Sequence, residues 1–146
     1  MSARAIEVRP ARGASEVRAA LDLRRAVFVE EQGVPLAEEL DAHDAGALHL
    51  VAVQRDRVVG TCRLVAAGDT VKLGRMAVAP EARGRGLAGR LLAEADARAR
   101  ELGALRMALG AQLTAQRVYE RAGYVVAGEH FVDAGIDHVM MEKRLA

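Results

Sequence analysis

The sequence is poor in aromatic rings, lysine and cysteine. Phe28, Phe131, Tyr119 and Tyr124 are the only aromatics in 146 residues, with no tryptophan, which gives little support to large substrates held by stacking. Cys62 is alone, so neither an intramolecular disulfide nor a thiolate metal cluster can form. It lies in the apolar run 58–67, where a buried small residue is a plainer reading than a nucleophile. His43, His49, His130 and His138 are dispersed without ligand spacing, and no metal site is expected. No apolar stretch reaches the roughly 18 residues of a membrane span, and no signal-peptide core opens the chain. The expectation is a soluble, cytoplasmic protein without a membrane partner. A net charge of +1 argues against a dedicated nucleic-acid binder, which carries a strongly basic face. Lys72 and Lys143 are the only lysines, so positive charge is nearly all arginine. The planar arginine fork suits phosphate and carboxylate, although an arginine- and alanine-rich composition is also what a base-biased genome produces.

About half of the residues are apolar and about a quarter charged, as in an ordinary globular chain. The length fits one domain, residues 1–146, able to bury a real core. Residues 5–9 read as a short strand ended by Pro10. Ser15 and Glu16 read as a helix start, and Val17, Ala20, Leu21, Val27 and Phe28 recur at helical spacing to about Glu31. Gly33 and Pro35 stop that helix, and an acidic loop with Glu38, Glu39, Asp41, His43 and Asp44 follows. Residues 47–54 and 57–67 are apolar runs joined by Arg55-Asp56 as a hairpin, and residues 70–79 make a third antiparallel strand. Leu87, Leu91, Leu92, Ala95, Ala99 and Leu102 form a helical stripe capped by Gly103. Residues 105–109 alternate as a strand. Ala115, Val118, Tyr119 and Ala122 mark a short helix ended by Gly123. Residues 124–126 and 136–143 read as the last strands, with His130, Asp133 and Gly135 in the loop between. The order β-α-β-β-β-α-β-α-β-β predicts an α+β fold with a mixed, largely antiparallel sheet flanked by helices.

Residues 75–92 organise this pattern. An apolar strand leads through a turn into a run of glycines and arginines and then into a helix. Such a corner gathers free backbone amides at the positive end of a helix dipole, where phosphate binds well. Gly84 and Gly86 permit dihedrals and close approaches that a Cβ forbids, and Arg83 and Arg85 add charge-assisted contacts. The plainer reading is a glycine-rich turn with solvated arginines.

Three blocks, in order, resemble the GNAT superfamily of acyl-CoA-dependent N-acetyltransferases. Arg83-Gly84-Arg85-Gly86-Leu87-Ala88 is similar to the family's pyrophosphate signature, Gln/Arg-x-x-Gly-x-Gly/Ala. The preceding Arg75-Met76-Ala77-Val78-Ala79-Pro80 is similar to its fourth strand. The block from Ala115 through Tyr119-Glu120 to Gly123-Tyr124 is similar to its late helix-plus-strand segment. The resemblance covers nearly the whole chain. A finer one, in Val27-Phe28-Val29-Glu30-Glu31-Gln32-Gly33-Val34-Pro35, the Asp41-to-Asp44 segment and Ala134-Gly135-Ile136-Asp137-His138, points to the ElaA/YjcF-like bacterial branch. One departure stands out. Where the family places histidine or asparagine near the end of the fifth strand, this chain has Gly110-Ala111-Gln112.

The resemblance implies an enzyme that takes acetyl-CoA as cosubstrate and passes the acetyl group to the amine of a small molecule by direct attack on the thioester. The diphosphate would sit on the amides of Gly84, Arg85, Gly86, Leu87, Ala88 and Gly89, with Arg83 and Arg85 beside it. The pantetheine arm would enter a gap between the fourth and fifth strands, along the backbone of Met76, Ala77 and Val78. Tyr119 would be the general acid for the CoA sulfur; its plainer reading is a packed ring on the apolar stripe of its helix. Glu30, Glu31, Asp41, His43, Asp44 and His49 form the pool for a base, and Glu30, Glu31, Asp41 and His43 for an acceptor pocket drawing a cationic amine. A solvated acidic loop is the plainer reading of those residues. The segment 23–31 is also similar to acyl-homoserine-lactone synthases, and a module that binds acyl-CoA without turnover is a third reading. Family members often dimerise, so a homodimer stays open.

Overall fold

Seven strands alternate with helices in the predicted order, and the computed structural model describes residues 5–145. The strands are β1 (Glu7–Pro10), β2 (Leu48–Gln54), β3 (Arg57–Ala67), β4 (Thr70–Val78), β5 (Arg106–Gln112), β6 (Val125–Asp133) and β7 (Ile136–Arg144). They form one sheet in the order β1-β2-β3-β4-β5-β7-β6, antiparallel throughout except where β4 meets β5. The mixed, largely antiparallel architecture is therefore the one the sequence predicts. Arg55 and Asp56 take φ of 50° and 63°, the left-handed pair that a tight hairpin turn between β2 and β3 requires.

Helix α3 (Leu87–Glu101) covers one face of the sheet. Leu87, Leu91, Leu92, Ala95 and Ala99 face Leu50, Leu64, Leu73, Met107, Leu109, Val139 and Met141 in one core. Gly60 of β3 lets the helix lie close, because a Cβ there would stand 3.2 Å from both Ala52 Cβ and Leu91 Cδ1. Leu102, predicted in the stripe, is 60% exposed because the helix turns off there into the left-handed Gly103.

Helix α1 (Gly13–Arg24) starts two residues before the predicted Ser15. Its first turn is held by Glu16, which accepts from the Arg12 amide at 2.6 Å and from two guanidinium nitrogens of Arg9. The helix does not run unchanged to Glu31. Residues Arg25–Glu31 form a π-helical segment, with Gln32 N donating to Val27 O. The predicted acidic loop folds into α2 (Leu36–Glu39) and a 3-10 turn, Ala42–Ala45. Helix α4 (Gln116–Arg121) precedes a β6 longer than expected. His130 and Asp133 lie in that strand rather than in a loop. The reason is the β6–β7 turn, made tight by Ala134 and Gly135 at φ 51° and 75°.

Candidate active site

The sheet opens where β4 and β5 diverge. They pair only at Thr70↔Arg106, Val71↔Met107 and Lys72↔Ala108. Beyond that, β5 stays with β7 as far as Gln112↔His138, and β4 stays with β3 as far as Val78. A bulge accompanies the departure. Arg63 pairs with Gly74 and Thr61 with Ala77, so Arg75 and Met76 together oppose Cys62. Arg75 takes a φ of 53°, a conformation that costs a side-chain-bearing residue about 1–3 kcal/mol. Its guanidinium fixes it there, donating to Glu39 O at 3.0 Å, Glu38 O at 3.2 Å and Asp41 Oδ2 at 3.1 Å.

The gap is a cleft of about 550 Å³. Met76, Ala77 and Val78 form one wall, and Ala108, Gly110 and Gln112 of β5 form the other. The amide of Ala79 donates back to Val59 O at 2.8 Å. Strand alternation therefore turns the Val78 amide the other way, towards the open side. Val27, Phe28 and Glu31 of the π-helical segment roof the cleft, and Tyr119, Phe131 and His138 also line it.

At the mouth of the cleft, Gly84 and Gly86 take φ of 76° and 75° and lead into α3. A Cβ at Gly84, Gly86 or Gly89 would meet nothing within 4 Å, so space lies open above this backbone. The first intrahelical bond is Arg90 N to Gly86 O, which leaves the amides of Leu87, Ala88 and Gly89 without helical acceptors. The 15-residue helix adds the positive end of its dipole at the same place.

The two arginines expected at a diphosphate differ. Arg83 is engaged: Nη1 and Nη2 hold the Glu31 carboxylate at 2.9 and 2.7 Å, and Nε donates to Val78 O at 3.0 Å. Its planar fork matches a carboxylate bidentately, which is why it closes on the π-helical segment rather than standing free. The same hydrogen bond holds the Glu31 carboxyl below its usual range. Arg85, by contrast, has no ion pair or hydrogen bond among the described residues and stays exposed.

Beneath the cleft, three carboxylates of the acidic segment, Glu39, Asp41 and Asp44, are ion-paired rather than solvated. Arg24, fully buried, donates to Glu39 Oε2 at 2.9 Å, Glu39 Oε1 at 3.2 Å and Asp44 Oδ1 at 2.7 Å. Arg63 donates to Asp41 Oδ1 at 2.7 Å and Asp44 Oδ1 at 3.0 Å. With Arg75, three guanidinium groups meet three carboxylates. Burial works against ionising Asp41 and Asp44, but Arg63 and Arg24, with backbone amides, overcome it and hold both carboxyls below the usual range. The sign follows from that direction. Stability from a depressed carboxyl is fully present above its unfolded value near 4 and is lost as pH falls. Thermal denaturation followed from pH 6 to pH 3 is expected to show a falling midpoint below about pH 5, and a midpoint constant to pH 3 would refute the coupling.

Of the four residues expected to receive the acceptor, only Glu31 lines the cleft. Glu30 is exposed, 3.9 Å from Arg25, and His43 is exposed on the 3-10 turn. Asp41 is committed to Arg63 and Arg75. Asp44 and His49 leave the pool for the same kind of reason. Asp44 serves Arg24, and His49 is buried with Nε2 donating to Asp44 O at 2.9 Å. The cleft instead receives residues singled out for no role, notably Gln32 and Gln112, joined at 2.9 Å across 80 positions of chain. No local sequence signal connects such a pair.

Tyr119, on α4, is 7% exposed and packs edge-on to Tyr124 with ring centroids 6.1 Å apart. Burial, with a smaller effect of Cys62, pushes its phenol up to about 12. It is therefore protonated at every working pH. Cys62 is also pushed up to about 12 by burial, which makes it an inert thiol.

A family model described as the acetyltransferase (GNAT) domain matches residues 14–145. The chain belongs to the GNAT acetyltransferase family. Among relatives of this GNAT protein, the uncharacterized N-acetyltransferase YjcF of Bacillus subtilis is 34% identical over 134 residues, covering 91% of this chain and 96% of YjcF. An acyl-CoA N-acyltransferase from Pseudomonas aeruginosa has a matching structure, with TM-score 0.86, 29% identity and coverage of 95% and 99%. Escherichia coli ElaA superposes with TM-score 0.83 at 25% identity, covering 95% of this chain and 98% of ElaA. These support the ElaA/YjcF-like branch. The GNAT protein is an acyltransferase whose fold binds acyl-CoA. No helix among its described residues is long and apolar enough to cross a membrane.

Proposed function

We propose that this GNAT enzyme transfers the acetyl group of acetyl-CoA to the amine of a small acceptor, which attacks the thioester directly. The observation that carries the reading is the parting of β4 from β5 beside an open amide corner. The diphosphate fits the amides of residues 84–89 with Arg85 beside them. The pantetheine arm fits the unpaired edge of β4, whose Val78 amide supplies a donor for the thioester carbonyl. Arg83 contributes by tying the roof to Val78 through Glu31 rather than by a free charge.

Tyr119 serves the leaving sulfur. A phenol near 12 does not stay ionised opposite an ordinary thiol near 8.5. Its proton can pass to sulfur only as the attacking nitrogen, made acidic by its new bond to carbon, replaces it. The tyrosine is thus a relay, neutral before and after each turnover.

Isothermal titration of acetyl-CoA is expected to show binding that Gly86→Asp weakens by more than tenfold. A side chain strains the left-handed backbone there and a carboxylate repels the diphosphate. Undiminished binding by Gly86→Asp would move the cofactor elsewhere. Thiol release from acetyl-CoA across a panel of amines tests the transfer itself, and binding without thiol release would leave a carrier rather than a transferase.

A further inference from the structure

Direct attack requires a neutral amine, yet Glu31, Asp41 and Asp44 of the expected base pool are committed to arginines, and Glu30 and both histidines of that pool lie outside the cleft. His138 of β7 does line it. Its Nδ1 stands 2.7 Å from Ile136 O, and a carbonyl oxygen can only accept, so Nδ1 carries the hydrogen. Nε2 then holds the lone pair and has no hydrogen-bond partner among the described residues. The ring is fixed on a second side by Phe131, stacked at 5.3 Å and 23°. The stack sits close over Gly110, where a Cβ would lie 3.1 Å from Phe131 Cζ and press the ring to shift. His138 is also the direct cross-strand neighbour of Gln112 at the end of β5. An imidazole therefore stands one strand away from the place where the resembled family carries histidine or asparagine and this chain carries glutamine.

We propose that His138 is the general base of the transfer, a role that rests on the amine-acceptor reading above. Nε2, directly or through one water, takes a proton from the substrate ammonium and becomes the second N–H of an imidazolium, which later releases that proton to solvent. The freed nitrogen pair forms the C–N bond while the carbonyl π pair moves to oxygen. Collapse re-forms the carbonyl and breaks the C–S bond, with the pair leaving on sulfur. The sulfur takes the Tyr119 proton, and the remaining excess nitrogen proton restores Tyr119. The products are the amide, CoA thiol and one proton. Five of the other charged groups of the cleft are held in ion pairs, and three, Glu38, Lys72 and Asp133, are exposed without one among the described residues. Arg63, Arg75 and Arg83 each hold a carboxylate, and Glu31 and Glu39 are ion-paired. Tyr119 is held neutral, and Glu38, Lys72 and Asp133 complete the set.

The test uses an amine that the wild-type enzyme acetylates, with thiol release followed from pH 5.5 to 9 in the wild type, His138→Gln and His138→Ala. His138→Gln is expected to lower kcat/KM about 10²–10⁴-fold and to abolish the acid limb of the wild-type pH–rate profile. Acetyl-CoA affinity is expected to stay within twofold, and added imidazole to restore part of the rate in His138→Ala. A His138→Gln enzyme with the wild-type rate and acid limb would overturn the assignment and leave the amine reading standing. A wild type that binds acetyl-CoA but acetylates no amine would overturn both.

Discussion

Replacing Arg24 with alanine is expected to cost about 3–5 kcal/mol of folding stability, read by urea denaturation at pH 7. The residue is 0% exposed, and its side chain holds both oxygens of Glu39, itself 2% exposed, together with the backbone oxygen of the same residue at 3.0 Å. Truncation leaves the Glu39 carboxylate buried with only Arg75 at 3.2 Å, and takes one of the two arginines from Asp44. The expense is that of an uncompensated charge out of water, which is why Glu39→Gln in the same background is expected to recover part of the loss. Since whole domains of this size are stable by about 5–15 kcal/mol, the variant sits near the edge of folding. A loss below about 1 kcal/mol would mean that the network contributes geometry and not stability. It would still hold Arg75 in its left-handed bulge, where β4 leaves β5.

Tyr119→Phe is expected to lower kcat by about 10²–10⁴-fold while leaving acetyl-CoA affinity unchanged. The packed-ring reading of this residue makes the opposite prediction, and the substitution separates the two. The ring is buried against Tyr124, so phenylalanine keeps the packing. The hydroxyl has no hydrogen-bond partner among the described residues, so removing it orphans no other group and stability is expected to move by less than about 0.5 kcal/mol. Any large loss of turnover then belongs to proton transfer. Because burial keeps the phenol protonated up to about 12, kcat is not expected to fall through ionisation of Tyr119 below about pH 10. Full turnover in Tyr119→Phe would assign the sulfur's proton to water.

How much of this was legible in the chain differs by residue. Gly84 and Gly86 sit before a helix stripe of Leu87, Leu91 and Leu92, and both their left-handed dihedrals and the helix start follow from local preferences. The strand order followed equally from hydrophobic period and turn chemistry, as at Arg55-Asp56. The acidic segment misled for a physical reason. A run with Glu38, Glu39, Asp41 and Asp44 reads as solvated unless cations reach it, and the three that do come from α1, β3 and β4, 15 to 37 positions away. Arg83 misled likewise, because its partner Glu31 lies 52 positions back.

By itself the sequence determined the α+β order, the amide corner and the membership these imply, because periodicity, glycine dihedrals and helix starts are set within a few residues. Only the tertiary structure decided which charges are spent on each other, that Arg85 rather than Arg83 stands free at the corner, and that His138 lines the cleft with a ring nitrogen that has no partner among the described residues. Ion pairing and cross-strand register are contacts between distant parts of the chain, and a charge is available for chemistry only where folding leaves it without a partner.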